Sequence, residues 1–154
     1  MDVRIRDMRP SDLDGVMAIE EVSFPTPWSR EMFLEDFPRA YSDTLVAAGE
    51  DDEVLGYAVF WTISGESHLL NIAVHPARRG QGIGRALLSG CIRRAARAGA
   101  TLIFLEVRAG NEAAQRLYRS MGFVYRGIRK LYYTDTGEDA VILDREVRKN
   151  DAAG

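Results

Sequence analysis

Glu106 stands out of place in this sequence, inside the apolar run Leu102-Ile103-Phe104-Leu105-Glu106-Val107. A buried, unpaired carboxylate is costly, so such a group either finds a partner, with Arg108 the neighbour at hand, or holds its proton more tightly. Either outcome suits a general base near neutral pH. Tyr118 is a second candidate, on the apolar face of a helix. A core tyrosine is one reading of it, and a proton donor to a departing thiolate is the other, since a phenol of reference pKa about 10 can protonate a thiolate at a neutral-pH site. The third feature is a loop, Ile72-Ala73-Val74-His75-Pro76-Ala77-Arg78-Arg79-Gly80-Gln81-Gly82-Ile83-Gly84-Arg85. An apolar strand runs into a basic turn, then glycines alternate, then a helix begins. Glycines let backbone N–H groups converge, and a helix N-terminus adds partial positive charge, so the loop is an anion cradle suited to a pyrophosphate. Arg78, Arg79 and Arg85 add full charges. The spacing is neither that of a Walker loop, which needs Lys-Ser or Lys-Thr after its last glycine, nor the G-x-G-x-x-G of a dinucleotide site.

The elements that must position these groups follow from periodicity. Val3 to Met8 alternates as a strand does, and Ser11-x-x-Asp14 has the form of a capping box. Leu13, Val16, Met17, Glu20 and Phe24 fall at helical spacing, with one charge breaking the stripe. Phe24-Pro25-Thr26-Pro27-Trp28-Ser29 ends that helix, and a short second helix carries Met32, Phe33 and Phe37. Thr44 to Ala48 and Val54 to Ile63 read as a hairpin around the acidic turn 49–53. His68 to Val74 leads into the glycine loop. The next helix spans Ile83 to Ala98, with Ile83, Ala86, Leu87, Cys91 and Ala95 on its apolar face and Gly99 after its end. Thr101 to Val107 reads as a strand buried on both faces. Asn111 caps a further helix that Gly122 stops, and strands near Phe123 to Tyr132 and Ala140 to Val147 follow. Residues 1–147 read as one domain and 148–154 as a frayed polar tail.

Composition narrows the class. The chain has 154 residues, 46% hydrophobic and 28% charged, with a formal net charge of -3. That balance argues against a general nucleic-acid binder. One cysteine excludes an intramolecular disulfide and a cysteine-based metal cluster, and Cys91 on the apolar stripe reads as a buried thiol. No metal is expected. No signal peptide is visible and no apolar run approaches a membrane span, so a cytoplasmic protein without membrane contact, a monomer or weak dimer, is the expectation.

Arg78-Arg79-Gly80-Gln81-Gly82-Ile83-Gly84-Arg85-Ala86, following Ile72-Ala73-Val74, resembles the signature of the GCN5-related N-acetyltransferases over nearly the whole chain. The resemblance implies an α/β (α+β) fold, a central twisted mixed sheet of about seven strands flanked by about four helices, and acetyl-CoA as co-substrate. It implies that the pyrophosphate lies on the amides of Gly80 to Arg85, that Arg79 assists, and that Ile72, Ala73 and Val74 pair with the pantetheine arm. Leu105-Glu106-Val107-Arg108-Ala109-Gly110-Asn111 and Ala114-Gln115-Arg116-Leu117-Tyr118 resemble the RimI branch, which acetylates the α-amine of a small-subunit ribosomal protein beginning with alanine. By that likeness Glu106 accepts a proton, Tyr118 donates one and Asn111 contacts acetyl-CoA. Phe24-Pro25-Thr26-Pro27-Trp28-Ser29 and Tyr132-Tyr133-Thr134-Asp135 resemble the loops that wall the peptide site, which implies that Phe24, Trp28, Tyr132 and Tyr133 hold the N-terminus of a protein substrate. Gly80 departs from a position often basic or polar in that branch. Glu66 and His68 stand where a second base could assist, though a half-buried strand residue at 68, a turn residue at 66 and an exposed His75 are the plainer readings. An enzyme acting on lysine or a small amine, and a non-catalytic acyl-CoA-binding module, remain the alternatives.

Overall fold

In the computed structural model, which describes residues 2–153, seven strands form one mixed sheet in the order β1-β2-β3-β4-β5-β7-β6. The strands are β1 (Arg4–Asp7), β2 (Ser42–Ala48), β3 (Val54–Ile63), β4 (Glu66–Val74), β5 (Leu102–Arg108), β6 (Val124–Tyr133) and β7 (Glu138–Glu146). The helices are α1 (Leu13–Ser23), α2 (Arg30–Asp36), α3 (Ile83–Arg97) and α4 (Glu112–Ser120). All neighbours run antiparallel except β4 and β5, the pair that the α3 crossover joins. No helix among the described residues is long and apolar enough to cross a membrane.

The period-two alternation of the strands sorts side chains into two cores. Leu45, Ala47, Ala58 and Phe60 pack with Leu87, Leu88 and Cys91 of α3 on one face. Val46, Tyr57 and Val59 pack with Val16, Met17, Ile19 and Phe33 of α1 and α2 on the other.

The irregularity that matters for function lies in β4. Its pairing with β3 shifts between Asn71 and Leu69, so Leu70 is an extra residue in the ladder. Its parallel pairing with β5 covers only Glu66↔Leu102 to Leu69↔Leu105. Beyond the bulge the two strands part, and residues 70–74 turn an unpaired edge toward the C-terminal half of β5. A wedge-shaped cleft opens at the C-terminal ends of two parallel strands, where open α/β sheets gather ligands.

Three expectations need correction. The strand 102–107 is not buried on both faces, because Ile103, Leu105 and Val107 are buried in the core under α3 while Phe104, Glu106 and Arg108 are only partly so; they lie on the opposite face, outside the cluster that α1 and α2 bury. Ser11 and Asp14 form no capping box; a 3₁₀ turn at Pro10–Asp12 precedes α1, and Asp12 accepts instead from Arg9 N and the Arg6 guanidinium. The expected short helix is present as α2, with Phe37 as its C-cap; it buries Phe33 and leaves Met32 and Phe37 exposed. The frayed tail is folded at Lys149–Ala152: Arg145 holds the Asp151 carboxylate through both terminal nitrogens, and Arg97 Nε donates to Ala152 O.

Candidate active site

The glycine loop and the first turn of α3 form one lip of the cleft. Gly80 and Gly82 have φ of 78° and 83°, a conformation that glycine adopts without strain. A Cβ at either position would meet no atom within 4 Å, so their backbone faces open space. The first intrahelical bond closes from Ala86 N to Gly82 O, which leaves the amides of residues 83–85 without helical acceptors. The loop therefore has the converging N–H groups and the room that a diphosphate requires. The arginines are held differently. Arg79 Nε donates to Val74 O at 3.2 Å, and Arg85 donates to Ser120 Oγ at 2.7 Å, tying α3 to the end of α4.

Glu106 and Tyr118 sit on opposite faces of β5. Leu105 and Val107 share their core with Tyr118, so Glu106 between them points the other way, into the wedge. The Glu106 side chain is 10% exposed, and its Oε2 lies 2.7 Å from His68 Nε2. His68 in turn stacks on Phe104, its parallel neighbour, with ring centroids 4.4 Å apart. The partner that the sequence suggested, Arg108, is taken elsewhere. Of the two residues left open as helpers, His68 reaches Glu106, whereas Glu66 is exposed at the start of β4. His75 is exposed, and its Nδ1 accepts from Ala77 N.

The Tyr118 ring is buried against Phe123, and burial pushes its phenol above the ordinary range, so it holds its proton at neutral pH. No described residue hydrogen-bonds its hydroxyl, yet that oxygen is not sealed from solvent. It is an uncommitted donor. Asn111 caps α4 by accepting from Ala114 N, which leaves its NH₂ donors for a ligand.

The two aromatic loops meet through a side-chain bridge. Arg108, at the end of β5, grips the Asp135 carboxylate at 2.7 and 3.0 Å and lies 4.1 Å over the Tyr133 ring. Asp135 also accepts from Thr26 Oγ1 at 3.0 Å, which joins the 24–29 loop to the β6–β7 turn. The guanidinium holds the Asp135 carboxyl down at about 2. Burial, aided by the Glu106 charge and opposed by that of Arg108, pushes the Tyr133 phenol up to about 12. Phe24 and Trp28 are half-buried against the α1–α2 core, with Trp28 5.0 Å from Phe33, while Tyr132 is exposed. The structure thus places Tyr133 within reach of the Glu106 charge, while Phe24 and Trp28 rest against the α1–α2 core and Tyr132 lies exposed. Sequence reasoning missed the Thr26–Asp135–Arg108 bridge and the buried Glu20; the broken stripe of α1 was the one signal of the latter.

A model of the acetyltransferase (GNAT) family matches residues 13–123. The putative [ribosomal protein bS18]-alanine N-acetyltransferase of Bacillus subtilis is 38% identical over 140 residues, covering 90% of this chain and 92% of its own. The [ribosomal protein bS18]-alanine N-acetyltransferase of Escherichia coli is 36% identical over 141 residues, covering 90% and 94%. The crystal structure of the ribosomal-protein-S18-alanine N-acetyltransferase from Escherichia coli superposes with a TM-score of 0.86 at 33% identity, covering 95% of this chain and 94% of that one.

Proposed function

The chain belongs to the acetyltransferase (GNAT) family, and we propose that it acetylates the α-amino group of a protein N-terminus, with the N-terminal alanine of ribosomal protein bS18 as its substrate. The observation that carries the chemistry is the His68–Glu106 pair in the wedge with the unpartnered Tyr118 hydroxyl on the other face of β5. The named substrate of the two relatives supports the acceptor.

Acetyl-CoA, when bound, supplies the acyl group as a thioester. The open backbone at Gly80 and Gly82 fits its pyrophosphate, with Gln81, Ile83, Gly84 and Arg85 completing the cradle. The free edge of Ile72, Ala73 and Val74 pairs with its pantetheine amides, and a backbone N–H there polarises the acyl carbonyl. The Asn111 NH₂ adds a donor. Phe24, Trp28, Tyr132 and Tyr133 hold the extended N-terminus on the other side. Glu106 takes the proton that the amine sheds on attack, with His68 Nε2 fixing its carboxylate. Tyr118 gives its proton to the leaving thiolate. Attack is direct, since the one thiol of the chain, Cys91, is sealed in the core.

An α-amine demands little of such a base. Its reference pKa of about 7.7–8.0, against about 10.4 for lysine, leaves part of it unprotonated near neutral pH. The test is to incubate the protein with acetyl-CoA and a hexapeptide beginning Ala-Arg-Tyr with an internal lysine, and to locate the acetyl group by fragmentation. Acetyl on the α-amine supports the reading; acetyl on lysine alone sinks it.

A further inference from the structure

Glu20 lies on the buried face of α1, with 1% of its surface exposed. Its carboxylate collects donors from three separate elements. Trp28 N donates from the 24–29 loop at 2.8 Å, Asn71 Nδ2 from β4 at 2.9 Å, and the Tyr57 hydroxyl from β3 by a short bond. Burial raises the carboxyl above its ordinary range, against the pull of those bonds. An apolar residue would continue the stripe of Leu13, Val16 and Met17 at lower desolvation cost, and a buried charge is weak support for stability in itself.

What the carboxylate joins suggests its use. Asn71 is adjacent to the bulge at Leu70, where β4 leaves β5 and its free edge begins. Trp28 closes the loop that walls the acceptor side, and its ring rests on Phe33, which meets the edge of Tyr57. Thr26 ties the same loop to Asp135 across the cleft, so Glu20 is the inner of two anchors.

We propose that Glu20 is a positioning residue for the acceptor: through Trp28 N and Asn71 it fixes the distance between the peptide wall and the strand edge where the thioester lies. This rests on the reading above that the 24–29 loop contacts the substrate peptide. Glu20 touches neither substrate; it acts through the loop.

The full chain tests this with Glu20→Leu and Glu20→Gln, each assayed with the Ala-Arg-Tyr hexapeptide. In Glu20→Leu the Trp28 N–H loses its acceptor. Peptide KM rises about tenfold, the worth of one charge-assisted hydrogen bond, while KM for acetyl-CoA is unchanged. Hydrogen exchange across residues 22–30 quickens by a similar factor. Glu20→Gln restores both, because its carbonyl oxygen accepts from Trp28 N while its NH₂, in the place of Oε1, donates to the Tyr57 oxygen and to Asn71 Oδ1 once that amide turns over. If Glu20→Leu does not fold, Glu20→Asp is read in the same way, since it keeps the charge but draws the oxygens away from Trp28. An unchanged peptide KM overturns the proposal, as does a parallel rise in both KM values, which marks a general structural role. Failure of Glu20→Gln to rescue also overturns it, because charge rather than loop anchoring is then what matters. A wild-type chain that acetylates no peptide α-amine defeats the substrate reading instead, whatever Glu20 does.

Discussion

In the proposed mechanism, replacing Glu106 by glutamine removes the general base and little else. The carboxamide is isosteric and still pairs with His68 Nε2, 2.7 Å from the oxygen it replaces, so the stacked His68–Phe104 pair stays in place. Fold and acetyl-CoA binding should survive. The lost proton transfer is worth about 10²–10⁴ in rate, and a thousandfold loss corresponds to about 4 kcal/mol of barrier. The pH dependence then says which proton Glu106 handles. With an α-amine pKa of about 7.8, the free amine is about one part in seven at pH 7 and nearly all of it at pH 9, a gain of about sevenfold. If Glu106 only deprotonated the incoming ammonium, raising the pH to 9 would restore Glu106→Gln almost fully. If it takes the proton shed during attack, alkaline pH recovers about sevenfold at most and leaves a deficit of about a hundredfold. Stopped-flow release of CoA thiol at saturating acetyl-CoA, from pH 7 to 9, measures this. A variant within about tenfold of wild type at pH 7 would refute the assignment of Glu106 as base.

Tyr118→Phe should lower kcat by about 10²-fold yet leave the melting temperature and acetyl-CoA binding nearly unchanged, because the deleted hydroxyl has no protein partner; a large stability loss without a rate effect would mark a merely structural tyrosine. The Asp135 carboxyl, depressed to about 2 by Arg108, contributes stability above its unfolded pKa of about 3.9 that is lost as pH falls through about 2. The Thr26–Asp135–Arg108 bridge should therefore persist at pH 4 and open only toward pH 2; a carboxyl NMR titration of Asp135 with its midpoint near 4 would contradict this. Burial raises the Cys91 thiol, so a thiol reagent at pH 8 should leave it unmodified until the protein unfolds, and labelling of the native protein would show an unexpected opening between α3 and the sheet.

The local parts of this site were legible in the sequence and the long-range ones were not. Glycines alternating after an apolar strand can hardly serve another structure, and the loop at residues 80–84 has the conformation its composition required. A carboxylate inside an apolar run announced Glu106 as unusual. Its partner was hidden, because His68 reaches it only through a parallel register set by a crossover helix, and no local pattern encodes that register. Arg108 looked like the natural mate from chain proximity; the carboxylate of Asp135, brought in by the β6–β7 turn, wins it with bidentate geometry. The reading of β5 as fully buried failed for a related reason: its second face lies outside the cluster that α1 and α2 bury, and the place of a strand in the sheet order is a long-range property. Glu20 shows both sides. The broken stripe was visible, but its donors lie 8, 37 and 51 residues away.

Purified ribosomal protein bS18 tests most directly whether the acceptor is a protein α-amine. Bacterial bS18 lacking its N-terminal acetyl group would be incubated with acetyl-CoA and the enzyme, then digested and its modified residues located by mass spectrometry. One acetyl group is expected, on the α-nitrogen of the N-terminal alanine, transferred by the wild type and not by Glu106→Gln. Acetylation confined to lysine side chains, or none while a small free amine is acetylated, would contradict it.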